Sequence, residues 1–277
     1  VLKDNSVWRR TTPIYINVIY MTHLSKNTAS KVAAVTLGFW IIKIFCTTLG
    51  ETGGDAVSMT MNLGYLVSTS IFLSILVALI IMQTRAKQFN PVLYWATIIA
   101  STTAGTTMAD FFDRSLGIGY TGGSLILLTC VLATLALWKR RSGTISVDAI
   151  NTPKSEVYYW IAITFSQTLG TALGDWMADT NDFGYVKASL VFGTGLFVLA
   201  VMYYKTQLSR VWLFWAAFIL TRPLGATLGD FLDKPVSHGG LNISRPVASL
   251  VLLTLVIIMI AVFPQKAGKH PTSKVMN

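Results

Sequence analysis

The sequence predicts an all-α membrane protein of eight transmembrane helices. Four parallel two-helix repeats build it, with a pseudo-symmetry axis along the membrane normal. Three observations predict this: a composition poor in charge, eight apolar segments long enough to cross a bilayer, and one motif that recurs four times.

Hydrophobic residues make up 53% and charged residues 12% of the 277 residues. A soluble domain carries about 25% charge. A lipid bilayer is therefore the expected partner, and the net charge of +10 is read as a report on orientation, with no nucleic acid implied. Cys46 and Cys130 fall in apolar segments, where buried filler is the expected role and no disulfide follows. The chain opens Val-Leu-Lys, so its initiator Met is expected upstream; Pro13 to Met21 is too short to span and is expected along the interface.

The expected spans are 31–50, 64–83, 92–111, 119–138, 157–178, 184–204, 210–231 and 246–263. Each odd span begins near an aromatic-Trp pair and ends near an Asp fifteen residues after the Trp. The pairs are Trp40/Asp55, Trp95/Asp110, Trp160/Asp175 and Trp215/Asp230, with Phe39, Tyr94, Tyr159 and Phe214 before the Trp. The rings suit interfacial anchors. A Gly opens each even span: Gly64, Gly119, Gly184, and Gly239-Gly240 in the last copy. One repeat thus reads as a helical hairpin. Two helices per repeat send every copy into the membrane in the same direction. Successive Asp residues stand 55, 65 and 55 apart, so two repeats form each half. The domains expected are an N-terminal cytoplasmic or interfacial segment (1–30), a first half (31–138), a cytoplasmic linker (139–156), a second half (157–263) and a cytoplasmic tail (264–277).

The termini and the connections between repeats hold 16 of the 22 basic residues, whereas nine of 12 acids lie on the motif side. Both termini are therefore expected in the cytoplasm, with the Asp residues near the outer face.

Residues four apart share a helical face. Reading back from each Asp gives Lys43-Thr47-Glu51-Asp55, Ile98-Thr102-Thr106-Asp110, Ile163-Gln167-Thr171-Asp175 and Phe218-Arg222-Ala226-Asp230. Thr48, Thr103 and Thr168 adjoin these stripes, and Pro223 takes that place in the fourth, where a bend is expected. Polar stripes on otherwise apolar helices should point into the bundle. Gly50/Gly54, Gly105/Ala109, Gly170/Gly174 and Gly225/Gly229 let helices approach closely, and packing alone accounts for them.

A second acid follows three of the four Asp residues, and the first copy has Glu51 one turn earlier. The pairs are Glu51/Asp55, Asp110/Asp113, Asp175/Asp179 and Asp230/Asp233. Carboxylates with threonine hydroxyls form a hard oxygen set that suits Mn²⁺, Mg²⁺ or Ca²⁺. The eight acids are the candidate ligands, with Thr47, Thr48, Thr102, Thr103, Thr106, Gln167, Thr168 and Thr171 as supporting polar groups. The structural alternative is that acids at the helix ends bind a loop or pair with Arg114 or Lys234, which accounts for the second acids better than for the four that recur with the polar stripe. Lys43 and Arg222 are candidate counter-charges. Snorkelling to the cytoplasmic surface is an alternative for Lys43, and Arg222 is expected to pair with Glu51 or Asp175.

This pattern points to a transporter or exporter of an inorganic cation, divalent and Mn²⁺-like, driven by an ion or proton gradient, with no covalent cofactor. A carrier of a small organic cation, with the aromatics as a cage, and a scaffold or sensor whose acids only lock helices together are the alternatives. No nucleophile–base pair or zinc motif supports an enzyme.

The four Phe/Tyr-Trp pairs and four Gly-x₄-Asp runs resemble a bacterial family of four tandem repeats, each with two transmembrane regions and a characteristic Trp. Its members are labelled uncharacterised membrane-anchored proteins, and its repeat is a domain of unknown function. The resemblance covers about residues 31–263 and implies eight spans in a bacterial inner membrane. Glu51, Arg222 and Pro223 depart from its fourfold regularity.

Overall fold

The computed structural model describes residues 29–179 and 183–269. The stretch around Pro13 to Met21, His23 and His270 lie outside the described residues. Eight long helices are present among the described residues: α1 (Leu37–Asp55), α2 (Gly64–Arg85), α3 (Pro91–Asp110), α4 (Tyr120–Ser142), α5 (Pro153–Asp179), α6 (Tyr185–Lys205), α7 (Arg210–Asp233) and α8 (Arg245–Val262).

A capping residue sets where each of the first three odd helices begins. Thr36 accepts from the Phe39 amide at 3.2 Å, and Asn90 accepts from Leu93 at 3.1 Å, with Pro91 in the first turn. Thr152 and Ser155 cap one another's amides at 3.2 and 3.3 Å. The Thr36 cap moves the first helix from the expected start at 31 to Leu37. Residues expected to open that span instead form strand β1 (Ala29–Ala33), which pairs antiparallel with β2 (Ala267–Lys269). The apolar run beginning at Val32 hid this boundary. The ribbon closes over the linker, where the Lys31 amide donates to the Ile150 carbonyl at 3.2 Å and the Ser30 hydroxyl to Val147 at 2.8 Å.

The odd helices form a closed ring in the order α1, α3, α5, α7, and α7 packs back on α1. The even helices stand outside it. Each packs against the odd helix of the next repeat: α2 on α3, α4 on α5, α6 on α7, and α8 on α1. The two helices of one repeat therefore splay apart instead of forming the expected hairpin. Gly119 and Gly184, just before α4 and α6, stand at φ +77° and +78°, a conformation that residues with a Cβ avoid.

Close approach builds the ring. A Cβ on Gly50 would stand 2.3 Å from Thr102, one on Gly105 2.9 Å from Gln167, one on Gly170 2.2 Å from Arg222, and one on Gly225 2.1 Å from Thr47. Each contact runs from one odd helix to the next around the circle, so the small-residue spacing expected to bring helices together does so in cyclic order.

Helices α2, α4, α6, α7 and α8 are long and apolar enough to cross a membrane. α1, α3 and α5 are not among them, because threonines, glycines and charges occupy their inner faces. The outer helices bare large apolar side chains, such as Leu190, Phe197 and Leu250, to the surroundings. Apolar surface so broad fits a lipid environment.

Candidate functional site

The ring brings the four repeated acids to one end of the bundle. Asp55, Asp110, Asp175 and Asp230 are each no more than 4% exposed. Two cations hold them in pairs. Arg114 stands 2.8 Å from Asp110 and 3.4 Å from Asp175, joining α3 to α5. Lys234 stands 2.9 Å from both Asp230 and Asp55, joining α7 to α1. Both cations come four residues after an Asp, in the second and fourth repeats. The equivalent positions in the other two are Met59 and Asp179, so fourfold repetition becomes twofold at the level of charge. Burial works against the Lys234 ammonium, but Asp230, Asp55 and Asp233 outweigh it and hold its pKa above the usual lysine range. Arg245, at the start of α8, adds a contact to Asp55 at 3.6 Å.

On the α1–α7 side a third carboxylate joins. Ligand oxygens of Glu51, Asp55 and Asp230 all lie within 4.8 Å of one another, and all three residues are buried. Arg222 Nη2 pairs with Glu51 at 2.9 Å and donates to Thr106 at 2.6 Å and to the Thr171 hydroxyl. Its Nη1 donates to the Thr47 carbonyl at 3.3 Å. One guanidinium, carried by α7, thus touches the other three inner helices at the axis. Its expected partner among Glu51 and Asp175 is Glu51. The chemistry of the trio is all-oxygen and anionic, which fits a hard divalent cation or a proton.

The second acids turn elsewhere. Asp113 lies in a π-helical turn, Phe111–Ser115, and its Oδ1 would meet a Cβ on Gly123 of α4 at 2.6 Å. Burial pushes its carboxyl above the ordinary range, against the pull of Arg114. Asp179 accepts from Tyr120 of α4 at 3.0 Å, and Asp233 from Arg245 of α8 at 3.1 Å. All three face the starts of outer helices, so the pairs expected to cluster are split by direction. Thr48, Thr103 and Thr168 donate to carbonyls of their own helices at 3.0, 2.9 and 3.0 Å. Their hydroxyls tie down the helix that carries them.

The axis below the acids is layered. Glu51, Thr106, Thr171 and Ala226 form the first turn; Thr47, Thr102, Gln167 and Arg222 the second; Lys43, Ile98, Ile163 and Phe218 the third. All of these are buried. Lys43 does not snorkel. Its ammonium donates to Thr221 at 2.6 Å and the Phe218 carbonyl at 3.3 Å, 3.8 Å from the Phe218 ring centre.

Below that lies a plate of Phe39, Tyr94, Tyr159 and Phe214. Each ring meets the Trp of the next inner helix: Phe39–Trp95 at 5.5 Å, Tyr94–Trp160 at 5.9 Å, Tyr159–Trp215 at 6.2 Å and Phe214–Trp40 at 5.7 Å. Trp95, Trp160 and Trp215 are 1% exposed, which corrects their expected role as interfacial anchors. Ring-to-ring packing between helices outweighs contact with the surroundings, and the indole N–H groups of Trp95 and Trp215 find Gln265 and the Ile145 carbonyl at 2.9 and 3.0 Å.

Sequence reasoning weighed Arg114 and Lys234 as partners of the acids but assigned them to the second acids ahead of the primary four, and it missed Arg245. The signal for the primary pairing was the spacing, because a cation four residues after an acid shares its helical face. The fourfold motif drew attention to what recurs, and these cations occur only in alternate copies.

No curated protein and no solved structure matches the chain. A family model described as Repeat of Unknown Function (DUF347) matches four times, and each match spans one inner helix and the outer helix that follows it. With matches over residues 38–89, 93–144, 158–209 and 213–264, the chain belongs to this repeat family.

Proposed function

We propose that the protein is an eight-span transporter that moves an inorganic divalent cation, Mn²⁺-like in its preference for oxygen ligands, in exchange for protons or another ion. The observation that carries this reading is the meeting of Glu51, Asp55 and Asp230 within 4.8 Å in a buried place. Three carboxylates set against Arg222 and Lys234 are not a minimal structural device. One buried oxygen of Asp55 has no hydrogen-bond partner. An arriving cation would take the position between Asp55 and Asp230 that the Lys234 ammonium fills, and Lys234, at the edge of the bundle, would swing away. Thr106 and Arg222 would hold Glu51 in place. Asp110 and Asp175 would serve the second, Arg114-bound pair. The termini would lie in the cytoplasm of a bacterium and the acids toward the outside of its inner membrane.

A scaffold reading draws on the same ion pairs, since every primary acid has a partner within the chain. An organic-cation cage finds less support. The aromatic plate lies sixteen residues below the acids, about 24 Å along a helix. The test is flux in proteoliposomes offered Mn²⁺, Mg²⁺, Ca²⁺, amines and a pH gradient. Divalent flux that disappears in Asp55→Asn and Asp230→Asn supports the transporter. Absence of flux for every species supports the scaffold.

A further inference from the structure

The second axial layer contains more hydrogen-bonding capacity than the protein uses. Thr102 Oγ1, both polar atoms of the Gln167 amide and Arg222 Nε are buried without partners, on α3, α5 and α7. All three residues are 0% exposed and stand eight residues before their Asp. The set is rich in donors: Arg222 Nε and Gln167 Nε2 only donate, and the Thr102 hydroxyl donates or accepts.

The charges point the same way. Lys43, one turn further from the acids, has no carboxylate within ion-pair distance among the described residues. Lys43 and Arg222 press on the same stretch of α1 and α7, where Lys43 binds Thr221 and Arg222 binds the Thr47 carbonyl. The three layers below the acids therefore hold two basic side chains, Lys43 and Arg222, and one acid, Glu51. An anion beside the two basic side chains would balance charge that burial alone disfavours.

We propose that the axis holds a second site, for a small monovalent anion of chloride, nitrate or formate size, between Arg222 and Lys43, with Gln167 Nε2, Thr102 Oγ1 and Arg222 Nε as donors. The size limit comes from the glycine contacts at Gly105 and Gly170, which bring α3, α5 and α7 together at this level. The site shares no ligand with Glu51, Asp55 and Asp230. It stands on unpartnered donors and two neighbouring basic side chains, so it goes beyond the cation reading and survives if that reading fails.

The test uses the full chain in detergent with gluconate as the only anion, titrated with chloride, bromide, nitrate or formate at constant ionic strength. The expected result is a saturable rise in Tm with the small anions and none with sulfate. Gln167→Leu and Thr102→Val should each raise the half-saturating concentration about tenfold, and Lys43→Met should abolish the response. Identical Tm in chloride and gluconate overturns the proposal. Should Lys43→Met not fold, bromide soaked into crystals of the unaltered protein decides the matter: anomalous signal at the Gln167 level supports the site, and its absence there overturns it. Divalent stabilisation measured in gluconate reports on the cation site alone.

Discussion

Arg222 stands where the other inner helices carry Thr47, Thr102 and Gln167, and this one substitution in the repeat organises the axis. Its guanidinium is fully buried and joins Glu51, Thr106, Thr171 and the Thr47 carbonyl. Breaking a buried pair from one side leaves a lone charge, at a cost of about 3–5 kcal/mol. Arg222→Met should therefore destabilise by that order in denaturant titrations, and adding Glu51→Gln should recover most of the loss. Equal destabilisation by the single and double variants would mean that packing, not charge, sets the cost. The residue pattern made Arg222 and Glu51 visible as partners, because both break a fourfold motif within one helical turn of each other in depth. It did not reveal that Asp113, Asp179 and Asp233 face outward, since a helical wheel places residues on a face but cannot say which neighbour covers it. The π-helical turn at Phe111–Ser115 further uncouples Asp113 from the register of Asp110.

At the scale of the helices, close approach at glycine defines the ring. Gly170 has no room for a methyl group, which would stand 2.2 Å from Arg222 Cγ and 3.0 Å from Pro223 Cδ, whereas Gly193 on α6 has open space around its missing Cβ. Gly170→Ala should lower Tm clearly and Gly193→Ala should leave it unchanged, read by thermal unfolding in detergent; indistinguishable variants would contradict this packing. Helix number and extent were legible in the sequence, with most ends within a few residues, because apolar length and the repeat both mark them. The α1 start was not, because Thr36 caps a helix inside a run that hydropathy alone extends back to Val32. The aromatic-Trp pairs were legible as a repeat but misread in place. An interfacial belt and a buried plate use the same residues, and the cyclic Trp contacts depend on the ring order, which no local pattern contains.

Across the whole molecule, the even helix of each repeat completes the next repeat, and α8 closes the circle on α1. The chain is therefore not two separable halves: α4, from the first half, packs on α5 of the second. Ser249 of α8 donates to Thr52 of α1 at 2.9 Å, so Thr52→Cys with Ser249→Cys, in a background lacking Cys46 and Cys130, should cross-link under mild oxidation. Hairpin packing would leave that pair unlinked. The ring also divides the acids by charge partner, with Arg114 across α3 and α5 and Lys234 across α7 and α1, and among the described residues only the latter side gathers a third carboxylate. The role of that trio is measured most directly by the rise in Tm with Mn²⁺, taken one carboxylate at a time in the purified full chain. A rise is expected in the unaltered protein, lost in Glu51→Gln, Asp55→Asn and Asp230→Asn but kept in Asp113→Asn and Asp179→Asn. No rise in the unaltered protein, or an equal loss in all five variants, would contradict a cation site built by Glu51, Asp55 and Asp230.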